Sequence, residues 1–492
     1  MKIDGNKSKY LLLVALILLG VVLVYGAHYI DYSKCDGCIS GLYPYPIHGD
    51  EWTHLAQGIS FMEKGTLSNT NPYIVMGVAN DLELGFHAFI AQFFTLTGLN
   101  PILNQRFLPA SFIILYILSI VIFVHLVTKN FYIGLLAGLF FLSIRGNINI
   151  YGLWFFVPII FSIFLIFMFF YTYLKDGLKF ISAIFFLTTI VVYPIATIFI
   201  TSVLTLYLMY NKKIKFVHVC YLSALAMLSI LLIGFNKLEE YFIFMTGWTS
   251  GFEVEYSLFQ IYGIIGILSA MLGIYFVFKK KYNKILLIAL ILPIFSIICY
   301  SFFKATLLIP YQRALIYMMI SLVPLSAIGV YHALELIYSG IKNNFVSIGI
   351  ISLLILFLSV GLFYNYYIIP DHRFVPQHIV SDADYNALLW VKDNIGTNYT
   401  IIVPGLLAFS VYPISHDTVF AVPGSSLRSR NITIVDSFYA ASDCAVKESL
   451  LSTYPKNKSL GHTKIVYSTY PIACDFLNNV YSRDGVYIYT IR

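Results

Sequence analysis

"FLPASFIILYILSIVIFVHLV", residues 107–127, runs for twenty-one positions without a charged side chain, and Lys129 follows two residues later. A bilayer's hydrocarbon core is roughly 30 Å thick, so a helix needs about 20 apolar residues to cross it. The stretch meets that length and cannot be read as the face of a soluble helix, because it is apolar all round. Other runs of this kind lie at 11–27, 131–144, 154–174, 178–192, 195–210, 216–234, 257–278, 285–303, 310–338 and 345–368, about eleven in all. Those at 131–144 and 178–192 are short of a full crossing. The bulk numbers agree: 59% of the 492 residues are hydrophobic and only 11% charged, and mean hydropathy is +0.80. So few charges cannot cover so much apolar surface in water, and lipid is the solvent this composition requires.

The net charge of +7 does not point to nucleic acid, because Lys and Arg recur in short clusters between apolar runs. Lys2, Lys7 and Lys9 precede the first span; alternate connections then carry Lys129, Lys175 with Lys179, "NKKIK" at 211–215, "KKKYNK" at 279–284 and Lys342. Positive charge marks the cytoplasmic side, so the N-terminus is expected inside and the C-terminus outside, in a multi-pass protein of the cell membrane. The first span has the charge and length of a signal peptide, but "LVYGAHYIDY" is a poor cleavage site, and a retained anchor is expected.

This topology puts two long polar parts outside: the loop 28–106 and the tail 370–492. The expected division is a membrane domain over 1–369, including the loop, and an external α/β domain over 370–492. In the tail, "DADYNALLWVKDNIG" has helical spacing, and "YTIIVPG", "DTVFAVPG", "TKIVYSTY" and "GVYIYTIR" read as strands. "CAVKESLLSTY" and "ACDFLNNVY" read as helices between them. Cys35, Cys38, Cys444 and Cys474 all fall in these external parts and are disulfide candidates. The "CDGC" at 35–38 has metal or redox chemistry as its alternative. Cys220 and Cys299 lie inside spans and read as packing residues. The glycosylation acceptor patterns at Asn398, Asn431 and Asn457 lie in the tail as well.

Just after the first span comes "HGDEWTH", residues 48–54, two carboxylates and two histidines in seven positions. Asp50 stands where a zinc-protease H-E-x-x-H would carry its first histidine, so that site is not available. Glu51 and His54 make E-x-x-H, half of a di-iron motif, but Glu83 and His87 are spaced E-x-x-x-H and do not supply the other half. One remaining reading is structural. "DEWTHLAQGISFMEKG" is an amphipathic helix opened by acids and closed by Lys64-Gly65, with Trp52, Leu55, Ile59 and Met62 as a stripe on the bilayer surface. The other keeps the helix and makes its acid a base that takes a proton from an acceptor hydroxyl.

Several stretches together carry a resemblance. They are the loop acid pair followed by "HLAQGISFMEKGTLSNTNPY", the passage "LELGFHAFIAQFFTLTGLNPILNQRFLPASFIILYIL", "GNINIYGLWFFVP", "YQRALIYMMISLVPLSAIG" and the tail's "NALLWVKDNIG". With them the chain resembles the polytopic GT-C glycosyltransferases: the protein O-mannosyltransferases, the aminoarabinose transferases and archaeal oligosaccharyltransferase-like proteins. The resemblance implies an α-helical polytopic membrane fold with a small extracytoplasmic α/β domain. It also implies a polyprenyl- or dolichyl-phosphate-linked sugar donor, and it makes the first acid of the pair, Asp50, the catalytic base, with Glu51 beside it. The chain has no "WW", and so lacks the W-W-D motif of oligosaccharyltransferases, which argues against transfer of a whole glycan to asparagine.

Arg106, Arg145, Lys304 and Arg313 fall at the outer ends of spans, where positive residues are otherwise scarce. Each alone reads as a snorkelling side chain. Four on one face suit a lipid phosphate, which a guanidinium grips through two oxygens. The expected reaction is displacement at the anomeric carbon with inversion. Its partners are the lipid-linked sugar of the outer leaflet and a glycan, lipid or protein acceptor outside. His54, Glu83 and His87 are expected to bind the acceptor or an optional divalent ion, Mg²⁺ or Mn²⁺; no other cofactor is implied. The acidic, aromatic loop 236–256 suits a sugar or is a plain connection. The rival reading is a transporter or lipid-flipping protein, for which paired broken helices would be the mark. Pro194, Pro293 and Pro324 are present, but no repeated pair of interrupted spans.

Overall fold

The structure is a computed structural model. It describes residues 5–26, 43–66, 71–74, 83–144, 153–177, 179–212, 258–305, 308–340, 378–397, 399–422, 431–452 and 464–491. The predicted spans at 216–234 and 345–368, the loop 236–256, Cys35, Cys38 and Arg145 lie outside the described residues. The chain forms two compact units, one of residues 1–30 and 107–376, the other of 31–106 and 377–492.

The first unit is helical. Among the described residues its first helix is α1 (Gly5–Gly26), and its remaining helices follow α2 to α4 of the second unit in chain order. They are α5 (Phe107–Thr128), α6 (Phe131–Leu142), α7 (Pro158–Asp176), α8 (Phe180–Val192), α9 (Pro194–Tyr210), α10 (Leu258–Lys279), α11 (Ile285–Ile288), α12 (Ile291–Phe303) and α13 (Tyr311–Gly340). Six described stretches are long and apolar enough to cross a membrane: Lys7–Gly26, Phe107–Thr128, Pro158–Asp176, Ile261–Lys279, Ile285–Phe303 and Tyr311–Ser339. The span predicted from 154 begins as a helix only at Pro158, whose fixed φ and missing N–H suit a first helical turn. Pro194 in the same way ends α8 at Val192 and opens α9, with Tyr193 non-helical between them. The charge-free run 107–127 is α5, and its neighbour α6 starts where Asn130 Oδ1 accepts from the N–H groups of Tyr132 and Ile133.

α10 and α13 meet backbone to backbone. A Cβ on Gly273 would lie 1.9 Å from the Leu325 carbonyl oxygen, and one on Gly329 would lie 1.9 Å from that of Ser269. Small residues allow this approach, which in lipid replaces a hydrophobic drive with close packing. Tyr262 and Ser326 add a buried hydrogen bond of 2.7 Å across the same crossing. Elsewhere on this unit α1, α10 and α12 carry exposed Leu11, Leu18, Ile264, Leu268, Met271 and Phe302, the surface that hydrocarbon covers.

The second unit joins the loop to the tail, so the compact units divide the chain differently from the expected 1–369 and 370–492. The loop gives α2 (Gly49–Lys64), α3 (Leu84–Thr97) and α4 (Pro101–Asn104). The tail gives α14 (Asp382–Asn394), β1 (Thr400–Ile402), α15 (Ala408–Ser415), β2 (Thr418–Val419), α16 (Asn431–Ala440), α17 (Cys444–Ser452), β3 (Lys464–Ser468), β4 (Leu477–Arg483) and β5 (Val486–Ile491). The sheet order is β2-β1-β3-β5-β4, parallel over its first three strands and antiparallel over its last three. Ile402, Phe420, Phe438, Val466 and Tyr489 are among the residues of its core, and Cys444 is bonded to Cys474.

One sequence expectation fails here. "ACDFLNNVY" is not a helix: its second half is β4, which pairs with β5 across Asp484-Gly485. Both turn residues have positive φ, 50° and 76°, as a two-residue hairpin turn requires. The apolar spacing in this short run suits either element, and the Asp-Gly turn decides it.

The loop is bound to the tail by specific contacts. The Val419 N–H donates to the Tyr73 carbonyl at 2.7 Å, and Ile74 bridges Val419 in parallel, extending the sheet beyond β2. The Tyr43 hydroxyl accepts from the Val380 N–H at 3.1 Å, and the Tyr45 hydroxyl donates to Asp382 at 2.7 Å.

Candidate functional site

Helix α2 opens on the acid pair. His48 is its N-cap: the Nδ1 atom accepts from the Asp50 N–H at 3.0 Å, the role usually taken by Ser or Asp. Glu51 reaches back, and its Oε2 accepts from the Ile47 N–H at 2.9 Å. The neighbouring carboxylates therefore differ. Glu51 is 1% exposed and occupied with the backbone. The Asp50 side chain is 60% exposed, 3.7 Å from His48 Nδ1.

The stripe Trp52, Leu55 and Ile59 is buried within this unit, where α2 packs on α3 and α15. That is a protein core, not the bilayer surface suggested by the amphipathic pattern. Trp52 fixes the turn before it, with Nε1–H donating to the Pro46 carbonyl at 3.1 Å. At the far end Glu63 pairs with His416 and accepts from the Tyr412 hydroxyl at 3.2 Å. Burial works to raise the Glu63 pKa, but the hydrogen bond and charge of His416, with Tyr412 and Lys392, outweigh it and hold the group below 4.5. Burial pushes the Tyr412 hydroxyl up to about 12.

One turn after Asp50, His54 faces the start of α3. Its Nδ1 is 3.0 Å from His87 Nε2, and its Nε2 is 3.7 Å from a Glu83 carboxylate oxygen. Glu83 precedes α3 and its carbonyl receives the N–H groups of Phe86 and His87, which places the two side chains one turn apart on a common face. Phe86 lies edge-on to the His54 ring, 5.3 Å between centroids. The spacing E-x-x-x-H, which rules out a di-iron half-site, is what lets Glu83 and His87 converge on one partner.

The basic residues fall in both units. Arg106 follows α4 in the second unit and is half-buried. In the first unit, Arg313 is the third residue of α13, also half-buried. Lys304 caps α12 with φ 51°, its ammonium 5.1 Å from the centre of the Tyr300 ring. Tyr300 stacks on Tyr311 at 4.4 Å, so the end of α12 is held against the start of α13, the turn that carries Arg313.

No protein-family model matches the sequence, and no curated protein matches it. Solved structures do. The oligosaccharyltransferase of Archaeoglobus fulgidus, tethered with an acceptor peptide containing the NVT sequon, superposes with a TM-score of 0.59 at 14% identity, over 94% of this chain and 69% of that one. The same organism's AglB, in complex with an inhibitory peptide and a dolichol-phosphate, gives 0.58 at 13% identity, with the same coverage of 94% and 69%. ArnT from Cupriavidus metallidurans in the apo state gives 0.57 at 11% identity, over 99% of this chain and 98% of that one. This chain has a GT-C-like fold. It is a mostly helical membrane protein with a small sheet domain, as the sequence leads one to expect.

Proposed function

We propose that this GT-C-like chain is a membrane glycosyltransferase. It moves a sugar from a polyprenyl- or dolichyl-phosphate to a hydroxyl acceptor outside the cell, with Asp50 as general base. The carrying observation is the asymmetry of the acid pair: Glu51 is buried and spent on the Ile47 N–H, while Asp50, on the same rigid turn, is exposed. A helix start held by His48, Glu51 and Trp52 gives a base a fixed position, which a mobile loop acid lacks. Support for the donor class comes from the fold relatives, one in complex with a dolichol-phosphate and another, ArnT, bound to undecaprenyl phosphate.

In the reaction, an Asp50 carboxylate oxygen takes the acceptor's hydroxyl proton. The acceptor oxygen bonds to the anomeric carbon, the bond from that carbon to the phosphate oxygen breaks, and polyprenyl phosphate leaves with the electron pair. Attack opposite the leaving group inverts the anomeric centre. Arg313, with Arg145 or Lys304, is the proposed grip on the phosphate; a charge-assisted hydrogen bond of this kind contributes about 1.5–3 kcal/mol.

The test uses purified full-length chain with polyprenyl-phospho-sugars and follows release of polyprenyl phosphate. Asp50→Asn is expected to lose about 10²–10⁴-fold in turnover while keeping its melting temperature, since the side chain is exposed. Equal turnover in the two proteins removes Asp50 from the mechanism.

A further inference from the structure

His54, Glu83 and His87 are three metal-ligating side chains brought from two helix starts to one point. One ligand atom from each lies within 4.8 Å of the others. His87 is fully buried and His54 7% exposed, while the Glu83 side chain is 20% exposed, so the cluster reaches solvent on the Glu83 side. We propose that these residues bind one divalent ion of the zinc class, which clamps α2 to α3 and leaves a coordination position open at the Glu83 side.

The donor set selects the metal. Two neutral imidazoles and one carboxylate form a three-ligand zinc site with a vacant fourth position, whereas Mg²⁺ demands a near-octahedral shell of oxygens. Zinc bonds of about 2.0–2.1 Å put tetrahedral ligands a little over 3 Å apart. The 3.0 Å between the imidazole nitrogens fits that spacing. The remaining closure falls to Glu83, the least buried of the three and the one best able to change its side-chain torsions. The alternative is an imidazole pair with one N–H donating to the other ring, and a carboxylate beside them. It uses the same geometry without an ion and differs in every metal readout. The clamp would matter for the acid pair, because His54 lies four residues, one helical turn, after Asp50. The ion site does not depend on the transferase reading.

Full-length chain carrying a purification tag free of histidine would be stripped with chelator, incubated with Zn²⁺, desalted and assayed for bound metal by mass spectrometry. The wild-type chain and Asp50→Asn are expected to retain stoichiometric zinc, and His54→Gln and Glu83→Gln to fall to background. Since variants of a buried cluster can misfold, Co²⁺ on the wild-type chain provides a second readout. A four-coordinate site gives intense visible absorption, which Zn²⁺ then displaces. Zinc retained equally by wild type and both variants, or no zinc and no Co²⁺ spectrum with the wild type, overturns the site. Active wild-type enzyme that holds no zinc would discard the metal and keep the transferase. Zinc-loaded protein with no turnover on any polyprenyl-phospho-sugar would do the reverse.

Discussion

Asp50 and Glu51 share a sequence position in all but one step, and their surroundings set them apart. Nothing in "HGDEWTH" shows that Glu51 turns back to the Ile47 N–H, because that bond depends on the path of the chain before the helix. The acid pair as a whole is legible, since few carboxylates occur in so apolar a chain and these two open a helix. The convergence of His54 with Glu83 and His87 is not legible from either segment alone; it needs the packing of α2 on α3. Residue-scale electrostatics are also clear at Glu63, whose ionised form is favoured by His416, Tyr412 and Lys392 over the opposing burial. A carboxyl held below its ordinary value stabilises the fold at pH values above that ordinary value. The contribution is lost as pH falls through the lowered one. Wild type is therefore expected to lose thermal stability below about pH 4.5 more steeply than Glu63→Gln. The pair is partly exposed, so the difference at neutral pH should stay near or under about 1 kcal/mol. Parallel pH–melting curves for the two proteins would refute the pairing.

At the scale of elements, the membrane helices were readable as apolar runs with few charges, and several of their ends fall at Pro158, Pro194 and Asn130, residues with defined terminal chemistry. Short segments were harder. "ACDFLNNVY" carries apolar residues that fit either period, and only its partner across the Asp484-Gly485 turn makes it a strand. The stripe of α2 was visible as amphipathic, but its partners, α3 and α15, come from distant parts of the chain. Their closeness is readable at Gly58, where a Cβ would lie 2.6 Å from Ile90 Cγ2 and 3.2 Å from its Cβ. A β-branched side chain has little freedom to turn aside. Gly58→Val is expected to force α2 from α3 and destabilise the second unit by about 1–3 kcal/mol. Thermal denaturation of the detergent-solubilised protein checks this, and an unchanged midpoint would mean the helices do not pack here. The same variant is expected to retain less zinc.

For the whole molecule, the grouping of 31–106 with 377–492 constrains the path through the membrane. A compact unit with a shared sheet edge between Tyr73-Ile74 and Val419 lies on one side of a bilayer, so an even number of crossings must separate its two segments. The sequence places ten apolar spans between residues 107 and 376, an even number, and one before the unit begins. From the lysine pattern the N-terminus is expected inside and the second unit outside. A bonded Cys444–Cys474 pair suits an oxidising exterior. With Cys35 and Cys38 replaced by Ser, a membrane-impermeant maleimide applied to intact cells is expected to label Asp50→Cys and Ala440→Cys, both at exposed positions. Lys212→Cys and Lys281→Cys, in connections rich in Lys, should react only after permeabilisation. Protection at both 50 and 440 with reaction at 212 and 281 would invert the orientation while keeping the even count. Reaction at one of 50 and 440 with protection of the other would place the halves of the unit on opposite sides, and the shared sheet could not then exist.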